Sequence, residues 1–130
     1  MIRINLKRIL VLILFLALVL TLSCKSFQNN KLKLVGGDPI MYRCKNGEII
    51  TARYYSISDD SLSFVKLTMP DGTEYTLPNV VSASGARFSD GITLIWWTKG
   101  DSAFIEERDE VGKWQIIYND CKQISISELN

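Results

Sequence analysis

The sequence predicts an all-β domain that folds as a small closed or flattened antiparallel barrel. From Pro39 onward, apolar residues come in short runs rich in Val, Ile, Thr, Tyr, Phe and Trp. Turn signals close each run, and no stretch shows the periodicity of an amphipathic helix. Short strands at spacings of about 8 to 12 residues favour an antiparallel meander, and closure into a barrel removes its exposed edges.

The domain divides into eight predicted strands, each bounded by residues suited to a turn. In chain order they span residues 40–45, 48–56, 61–68, 73–77, 86–89, 92–98, 102–108 and 113–119. Between them lie Asn46-Gly47, Pro70-Asp71-Gly72, Asp90-Gly91 and Lys99-Gly100-Asp101. Asn-Gly and Asp-Gly tolerate positive φ, and Pro presets the first turn angle, so these segments have a mechanical reason to reverse the chain.

Residues 1–23 are predicted to be a lipoprotein signal peptide. Three cations, Arg3, Lys7 and Arg8, precede the apolar run 9–20. This run is shorter than the roughly 20 residues that a membrane-spanning helix needs. The segment from Leu20 to Cys24 resembles the bacterial lipobox, in which a Cys after a small residue receives lipid, although its second and third residues, Thr and Leu, depart from the commonest pattern.

The cysteine count supports lipidation of Cys24. The chain has three Cys, and an odd number leaves one unpaired in an exported protein. Lipid on Cys24 removes that oddity and frees Cys44 and Cys121 to pair. The alternative is a plain secretory peptide that leaves Cys24 as a stray thiol. On the lipoprotein interpretation, residues 24–38 are the lipidated Cys and a flexible polar tether, and residues 39–130 are the domain.

Composition excludes several function classes. The chain carries 15 Lys plus Arg against 14 Asp plus Glu, so it lacks the basic surplus of a nucleic-acid binder. It has no His, which excludes Ser-His-Asp and Cys-His catalysis and His-ligated zinc. A Ser84–Lys99 hydrolytic dyad is conceivable, but a lysine base needs burial, and Lys99 stands at a predicted turn. We therefore expect no enzyme activity, no cofactor and no metal.

Two segments are more particular than ordinary turns. They are Ser82-Ala83-Ser84-Gly85-Ala86-Arg87-Phe88 and Trp96-Trp97-Thr98-Lys99-Gly100-Asp101-Ser102-Ala103. Taken alone, Ser-Gly and Lys-Gly are typical of solvated turns. Trp96 and Trp97 point to opposite faces of a strand, so at least one is expected in the core.

Together these segments resemble the paired motifs of the membrane-bound inhibitors of c-type lysozyme, the MliC-type family, and their periplasmic PliC-like relatives. In that family the first motif is Ser-Gly-x-x-Tyr and the second ends in Thr-Lys-Gly. The pair Tyr42-x-Cys44, the segment 75–78 and Cys121 also have counterparts, so the resemblance covers roughly residues 40–122. Phe88 replaces the usual Tyr, so any hydrogen bond from that hydroxyl is absent here.

The resemblance implies an eight-stranded antiparallel barrel, anchored to the bacterial envelope, that inserts Ser84 and Lys99 into the active-site cleft of host c-type lysozyme. Gly85 and Gly100 would let the backbone bend and approach closely. Trp97, on the same strand face as Lys99, would be an aromatic anchor. The expected partners are c-type lysozyme and, through lipid, a membrane, with no nucleic acid. We expect a monomer or weak dimer.

A competing hypothesis is a surface lipoprotein that binds envelope components without inhibiting lysozyme. Only the two motifs argue against it. Lys25 follows Cys24 where many inner-membrane lipoproteins have Asp, so we expect outer-membrane localisation.

The acidic cluster of Glu106, Glu107, Asp109 and Glu110 is typical of a solvated hairpin. Alternatively, it would assist encounter with a basic lysozyme, because complementary charge raises association rates.

Overall fold

The structure is a computed structural model that describes residues 5–22 and 31–129. Residues up to 31 belong to one compact unit and residues from 32 onward to a second. The first unit contains helix α1, Leu6–Leu22. Among the described residues, no helix combines the length and apolar character needed to cross a membrane. The predicted lipidation site, Cys24, and residues 25–30 of the predicted tether lie outside the described residues.

The second unit is built from antiparallel strands. They are β1 Leu34–Gly36, β2 Ile40–Arg43, β3 Ile49–Ile57, β4 Ser63–Thr68, β5 Glu74–Val80, β6 Ala86–Ser89, β7 Leu94–Lys99, β8 Ser102–Arg108 and β9 Trp114–Ile124, followed by the 3₁₀ helix η1 Ile126–Glu128. Each strand from β2 to β9 pairs with the next, and β9 pairs with β2. This ring of eight strands confirms the predicted barrel.

The ends of the domain differ from the sequence-based expectation. Residues 34–36, expected in the tether, form β1, which pairs with residues 55–57 of β3 in line with β2. Strand β9 continues to Ile124, beyond its predicted end at residue 119. Its register with β8 shifts near Asp120, whose φ is 47°. This irregularity carries the strand past the polar residues at which we expected it to end.

Trp96 fills the centre of the barrel. Its side chain is fully buried, and its indole Nε1 donates a hydrogen bond to the Tyr54 hydroxyl at 2.9 Å. The Tyr42 ring meets the indole edge to face at 5.1 Å between centroids. Burial, with the Tyr42 hydrogen bond adding to it, raises the pKa of Tyr54 well above its usual value, so the hydroxyl stays protonated. Trp96 is therefore the core tryptophan, and Trp97 faces outward.

Phe88 also belongs to the core. It is 5% exposed, and its ring lies 5.5 Å from that of Tyr54. A tyrosine at this position, which the resemblance implies for the family, would therefore direct its hydroxyl into the barrel and not onto the outer face of β6.

A disulfide joins Cys44, directly after β2, to Cys121 in β9, as predicted. Both residues are buried. The bridge spans 77 positions of sequence, and the loop-entropy model assigns roughly 4 to 5 kcal/mol to a loop of this size. The seam that closes the barrel is therefore covalent as well as hydrogen-bonded.

We predict that Tyr54→Phe lowers the free energy of unfolding by about 1 to 3 kcal/mol, because it leaves the buried Trp96 N–H without an acceptor. Urea denaturation monitored by tryptophan fluorescence measures the change. Tyr55→Phe is the matched control, since Tyr55 stacks on Phe64 and its hydroxyl forms no side-chain hydrogen bond within the described chain. Equal stability of the two variants would contradict the assigned role of the hydrogen bond.

Candidate functional site

The two sequence motifs lie side by side at one end of the barrel. The loop 81–85 leads into β6, and the turn after Lys99 leads out of β7. Because β6 and β7 are antiparallel neighbours, with Ala86 opposite Thr98, the start of one strand adjoins the end of the other. The loop 81–85 and the turn after Lys99 are separated in sequence by β6 and β7, yet they form one continuous edge.

Gly85 makes the contact between the two segments. Its φ is +67°, and a Cβ at this position would lie only 2.1 Å from the Thr98 carbonyl oxygen and 3.4 Å from the Lys99 Cα. No side chain fits in that space. Glycine therefore lets the backbone of the Ser84 loop rest directly on the end of β7.

The backbone of Ser84 is held by two side chains. The Ser82 hydroxyl donates to the Ser84 carbonyl oxygen at 2.8 Å and also lies 3.1 Å from the Gly85 carbonyl oxygen. The Trp97 indole Nε1 donates to the same Ser84 carbonyl at 2.9 Å. The Ser84 side chain itself is exposed, and in the described chain its hydroxyl makes no hydrogen bond. Its donor and its acceptor are thus free for a partner.

Lys99 is the last residue of β7 and is exposed. Within the described ranges its ammonium forms no ion pair; the two that occur there are Lys66–Glu74 and Lys122–Asp120. Strand alternation places its side chain on the outer face, as predicted, together with that of Trp97. The edge thus carries an exposed cation at the end of β7 and an exposed hydroxyl in the neighbouring loop.

Gly100 forms the tight turn between Lys99 and Ser102. Its φ of +62° at the first central position matches the requirement of a type II′ hairpin turn. In contrast to Gly85, a Cβ added at Gly100 would meet no atom within 4 Å. Within the turn, the Asp101 carbonyl accepts a hydrogen bond from the Gln123 N–H at 2.9 Å. The hairpin is therefore braced against β9.

Sequence reasoning missed three residues at this end. Val81, at the start of the Ser84 loop, is 96% exposed, although it is apolar. Lys122 contacts the Ser102 hydroxyl and adds a second cation beside the hairpin. Arg87 places its guanidinium 5.5 Å from the centre of the Trp97 ring. Only the lone apolar Val81 in a polar loop left a signal in the sequence; the other two contacts depend on strand pairing.

The acidic cluster lies at the opposite end of β8. The Asp109 carboxylate accepts hydrogen bonds from the N–H groups of Val111 and Lys113 and from the Gln115 amide, so it shapes its own loop. The Lys113 bond is the main cause of a lowered Asp109 pKa. Glu107 faces a cleft of about 360 Å³ at this end of the barrel. The cluster is therefore not part of the Ser84 and Lys99 edge.

The arrangement does not resemble a hydrolytic centre. Lys99 is exposed, whereas a lysine general base requires desolvation. Within the described ranges, no group of three or more Asp, Glu, Cys or His side chains is placed to hold a metal ion. What the edge offers is an exposed hydroxyl that can donate or accept and an exposed cation with three donors.

The fold therefore defines a small antiparallel β-barrel protein whose two sequence motifs lie on one exposed edge. Residues 42–114 match the family model described as membrane-bound lysozyme-inhibitor of c-type lysozyme. A relative with the name membrane-bound lysozyme inhibitor of C-type lysozyme, from Escherichia coli, is 31% identical over 118 residues, which cover 91% of this chain and 94% of the relative. The chain belongs to this family.

Other relatives match over shorter stretches. The Pseudomonas aeruginosa protein of the same name is 42% identical over 62 residues, 48% of this chain and 46% of that protein. The Yersinia enterocolitica protein is 41% identical over 69 residues, 53% of each. In each of these two comparisons, the matched stretch spans about half the length of the curated relative.

A solved structure resembles the barrel. It is Pseudomonas aeruginosa MliC in complex with hen egg white lysozyme, with a TM-score of 0.54 and 29% sequence identity. The similarity covers 73% of this chain and 88% of that chain.

We predict that Gly85→Ala destabilises the domain more than Gly100→Ala. Both positions have positive φ, so each substitution carries backbone strain of about 1 to 2 kcal/mol. Only at Gly85 does the added methyl also collide with a backbone carbonyl, and the two loops must separate to admit it. Thermal and urea unfolding of both variants measures the difference; equal losses would show that the close approach is unimportant.

Proposed function

We propose that this protein is an envelope-anchored inhibitor of c-type lysozyme that inserts the Ser84 loop and the Lys99 hairpin into the active-site cleft of the enzyme. The observation that carries the proposal is the Gly85 contact, which brings the backbone of the Ser84 loop against the end of β7, so that the exposed Ser84 and Lys99 belong to one edge. Family membership and the structural similarity to a protein solved in complex with lysozyme support it.

Lysozyme offers two carboxyl groups in unlike environments, one protonated as general acid and one ionised. The Lys99 ammonium suits the ionised group, because it is a compact charge with three donors on a flexible stem. Lys99 stands at the end of β7, next to the two-residue turn Gly100-Asp101. Both turn residues have shorter side chains than lysine, so they do not block its access to a partner. In a groove from which water is excluded, the resulting ion pair is weakly screened by salt.

The Ser84 hydroxyl suits either carboxyl group, since a hydroxyl both donates and accepts. The backbone carbonyl of Ser84 already accepts hydrogen bonds from Ser82 and Trp97, so docking does not have to order the loop first. Such preorganisation reduces the entropy cost of binding. With Ser84 and Lys99 in the cleft, the substrate is excluded from both catalytic groups, and no chemistry by the inhibitor is needed.

The second part of the proposal is a lipid anchor at Cys24 that holds the domain on the outer membrane. It is supported by the lipobox-like segment, the odd cysteine count and the pairing of Cys44 with Cys121, which accounts for the other two cysteines. More than one acyl chain on a single Cys gives stable membrane attachment. The anchor would keep the inhibitor where lysozyme reaches its substrate.

The alternative function is a surface lipoprotein that binds envelope components without inhibiting lysozyme. It keeps the anchor and the barrel but assigns no partner to Ser84 and Lys99. Titrating the isolated protein into a c-type lysozyme activity assay separates the two hypotheses: a stoichiometric loss of activity supports inhibition, and unchanged activity supports the alternative.

We predict that Lys99→Ala weakens binding to hen egg white lysozyme roughly thirtyfold or more, because removal of one partner of a buried charge pair costs about 2 to 5 kcal/mol. Ser84→Ala should weaken it less, since a neutral hydrogen bond contributes about 0.5 to 1.5 kcal/mol. Surface plasmon resonance with immobilised lysozyme gives both dissociation constants and the dissociation rates.

Lys113→Ala is the matched control for Lys99→Ala. Lys113 is also an exposed hairpin lysine, but it stands between β8 and β9 at the opposite end of the barrel. Its loss should change binding by about 0.5 kcal/mol at most. Similar dissociation constants for Lys99→Ala, Lys113→Ala and the unmodified protein would refute insertion of Lys99, even if the protein inhibits lysozyme.

We predict that Cys24→Ser abolishes lipidation and releases the protein from membranes or stalls its processing. The hydroxyl cannot form the thioether to lipid, and the remaining two cysteines are paired. Palmitate labelling and membrane fractionation of cells that express each form measure the effect. A variant that still takes up label and sediments with membranes would exclude Cys24 as the anchor.

A further inference from the structure

Trp97 is a large aromatic residue that lies outside the hydrophobic core of the barrel. Trp96 takes the interior side of β7, so Trp97 lies on the outer face and remains half-buried. Its ring stands between a guanidinium and a second aromatic ring, with Arg87 on β6 at 5.5 Å and Phe104 on β8 at 5.6 Å. These two residues are its direct cross-strand partners. The row fixes the plane of the indole.

The N–H group of the Trp97 indole forms a hydrogen bond with the Ser84 loop. Nε1 is only a donor, and it reaches the Ser84 carbonyl, 13 positions earlier in sequence, at 2.9 Å. The other donor to that carbonyl, Ser82, belongs to the same loop and moves with it. The Trp97 bond therefore ties the loop to the strand that ends in Lys99.

We propose that Trp97 is a positioning residue: its indole N–H fixes the Ser84 backbone relative to Lys99 so that the two side chains enter the lysozyme cleft together. This inference rests on the proposed function. It differs from a role for Trp97 as an aromatic anchor that touches lysozyme directly. In the anchor role the ring surface matters; in the positioning role the N–H matters, and it acts only through Ser84.

Trp97→Phe separates the two roles, because phenylalanine keeps a ring between Arg87 and Phe104 but has no N–H. The matched control is Trp114→Phe. Trp114 lies under the Arg108 guanidinium at 5.9 Å at the other end of the barrel, and within the described chain its indole N–H has no hydrogen-bond partner. Binding to hen egg white lysozyme is measured by surface plasmon resonance for the full-length protein in detergent.

Positioning predicts that Trp97→Phe weakens binding roughly threefold to tenfold, the range expected for one neutral hydrogen bond, mainly through faster dissociation. Trp114→Phe should stay within about twofold of the unmodified protein. In a Ser84→Ala background, Trp97→Phe should add less than about twofold, because the hydroxyl that it positions is gone. An equal loss with and without Ser84 would overturn positioning and indicate direct contact.

A measurement without lysozyme tests the same bond. In nuclear magnetic resonance spectra of the unmodified protein, the Trp97 indole N–H should exchange with solvent more slowly than that of Trp114. Trp97→Phe should speed amide exchange in residues 82–85 but not in β3. Fast exchange of the Trp97 N–H would overturn the proposal even if Trp97→Phe did not fold. If the unmodified protein fails to bind lysozyme, the proposed function is wrong. The exchange rate of the Trp97 indole N–H still shows, independently of lysozyme, whether Trp97 holds the Ser84 loop.

Discussion

The structure depends on burying one tryptophan across the barrel. Trp96 stands on β7, and its hydrogen-bond partner Tyr54 stands on β3, four strands away around a ring of eight. The buried indole N–H of Trp96 needs an acceptor, and Tyr54 provides it. Strands β3 and β7 must therefore face each other across the interior at a separation that allows this hydrogen bond. Tyr42 and Phe88 pack around the pair. Buried aliphatic side chains such as Ile50, Leu67 and Ile105 fill the rest of the interior.

The burial of Trp96 also determines the geometry of the edge formed by the loop 81–85 and the turn after Lys99. Once Trp96 points inward, alternation turns Trp97 and Lys99 outward, and strand pairing sets Ala86 opposite Thr98. Gly85 then has to lie against the Thr98 carbonyl. The edge is thus not a flexible appendage: its backbone is an extension of the same ladder that surrounds the core. The Ser84 and Lys99 side chains, by contrast, are exposed and contribute nothing to that core.

Local chemistry explains which parts of this structure were predictable. Turn residues and alternating strands act within a few positions, so the middle strands, from β3 to β8, were found near their actual limits, except that β5 continues to Val80, beyond its predicted end at residue 77. Strand β1 was missed because three residues pair with β3 only in the folded barrel. The end of β9 was missed because a positive φ at Asp120 lets the strand bend and continue. At the site, Ser84, Lys99 and both glycines came from the motifs, whereas the Trp97 bond to Ser84 is a long-range contact that no pattern along the chain records.

The closing seam has a consequence for how the domain assembles. The barrel is complete only when β9 pairs with β2, strands from opposite ends of the domain that the disulfide also joins. Contacts so distant in sequence form slowly, because the chain between them must first be ordered. Until then β2 and β8 each present an open edge that can pair with another chain. Arrival of the last strand therefore ends the period in which a partly folded molecule can aggregate, and truncation near the C-terminus would prolong that period rather than merely weaken the fold.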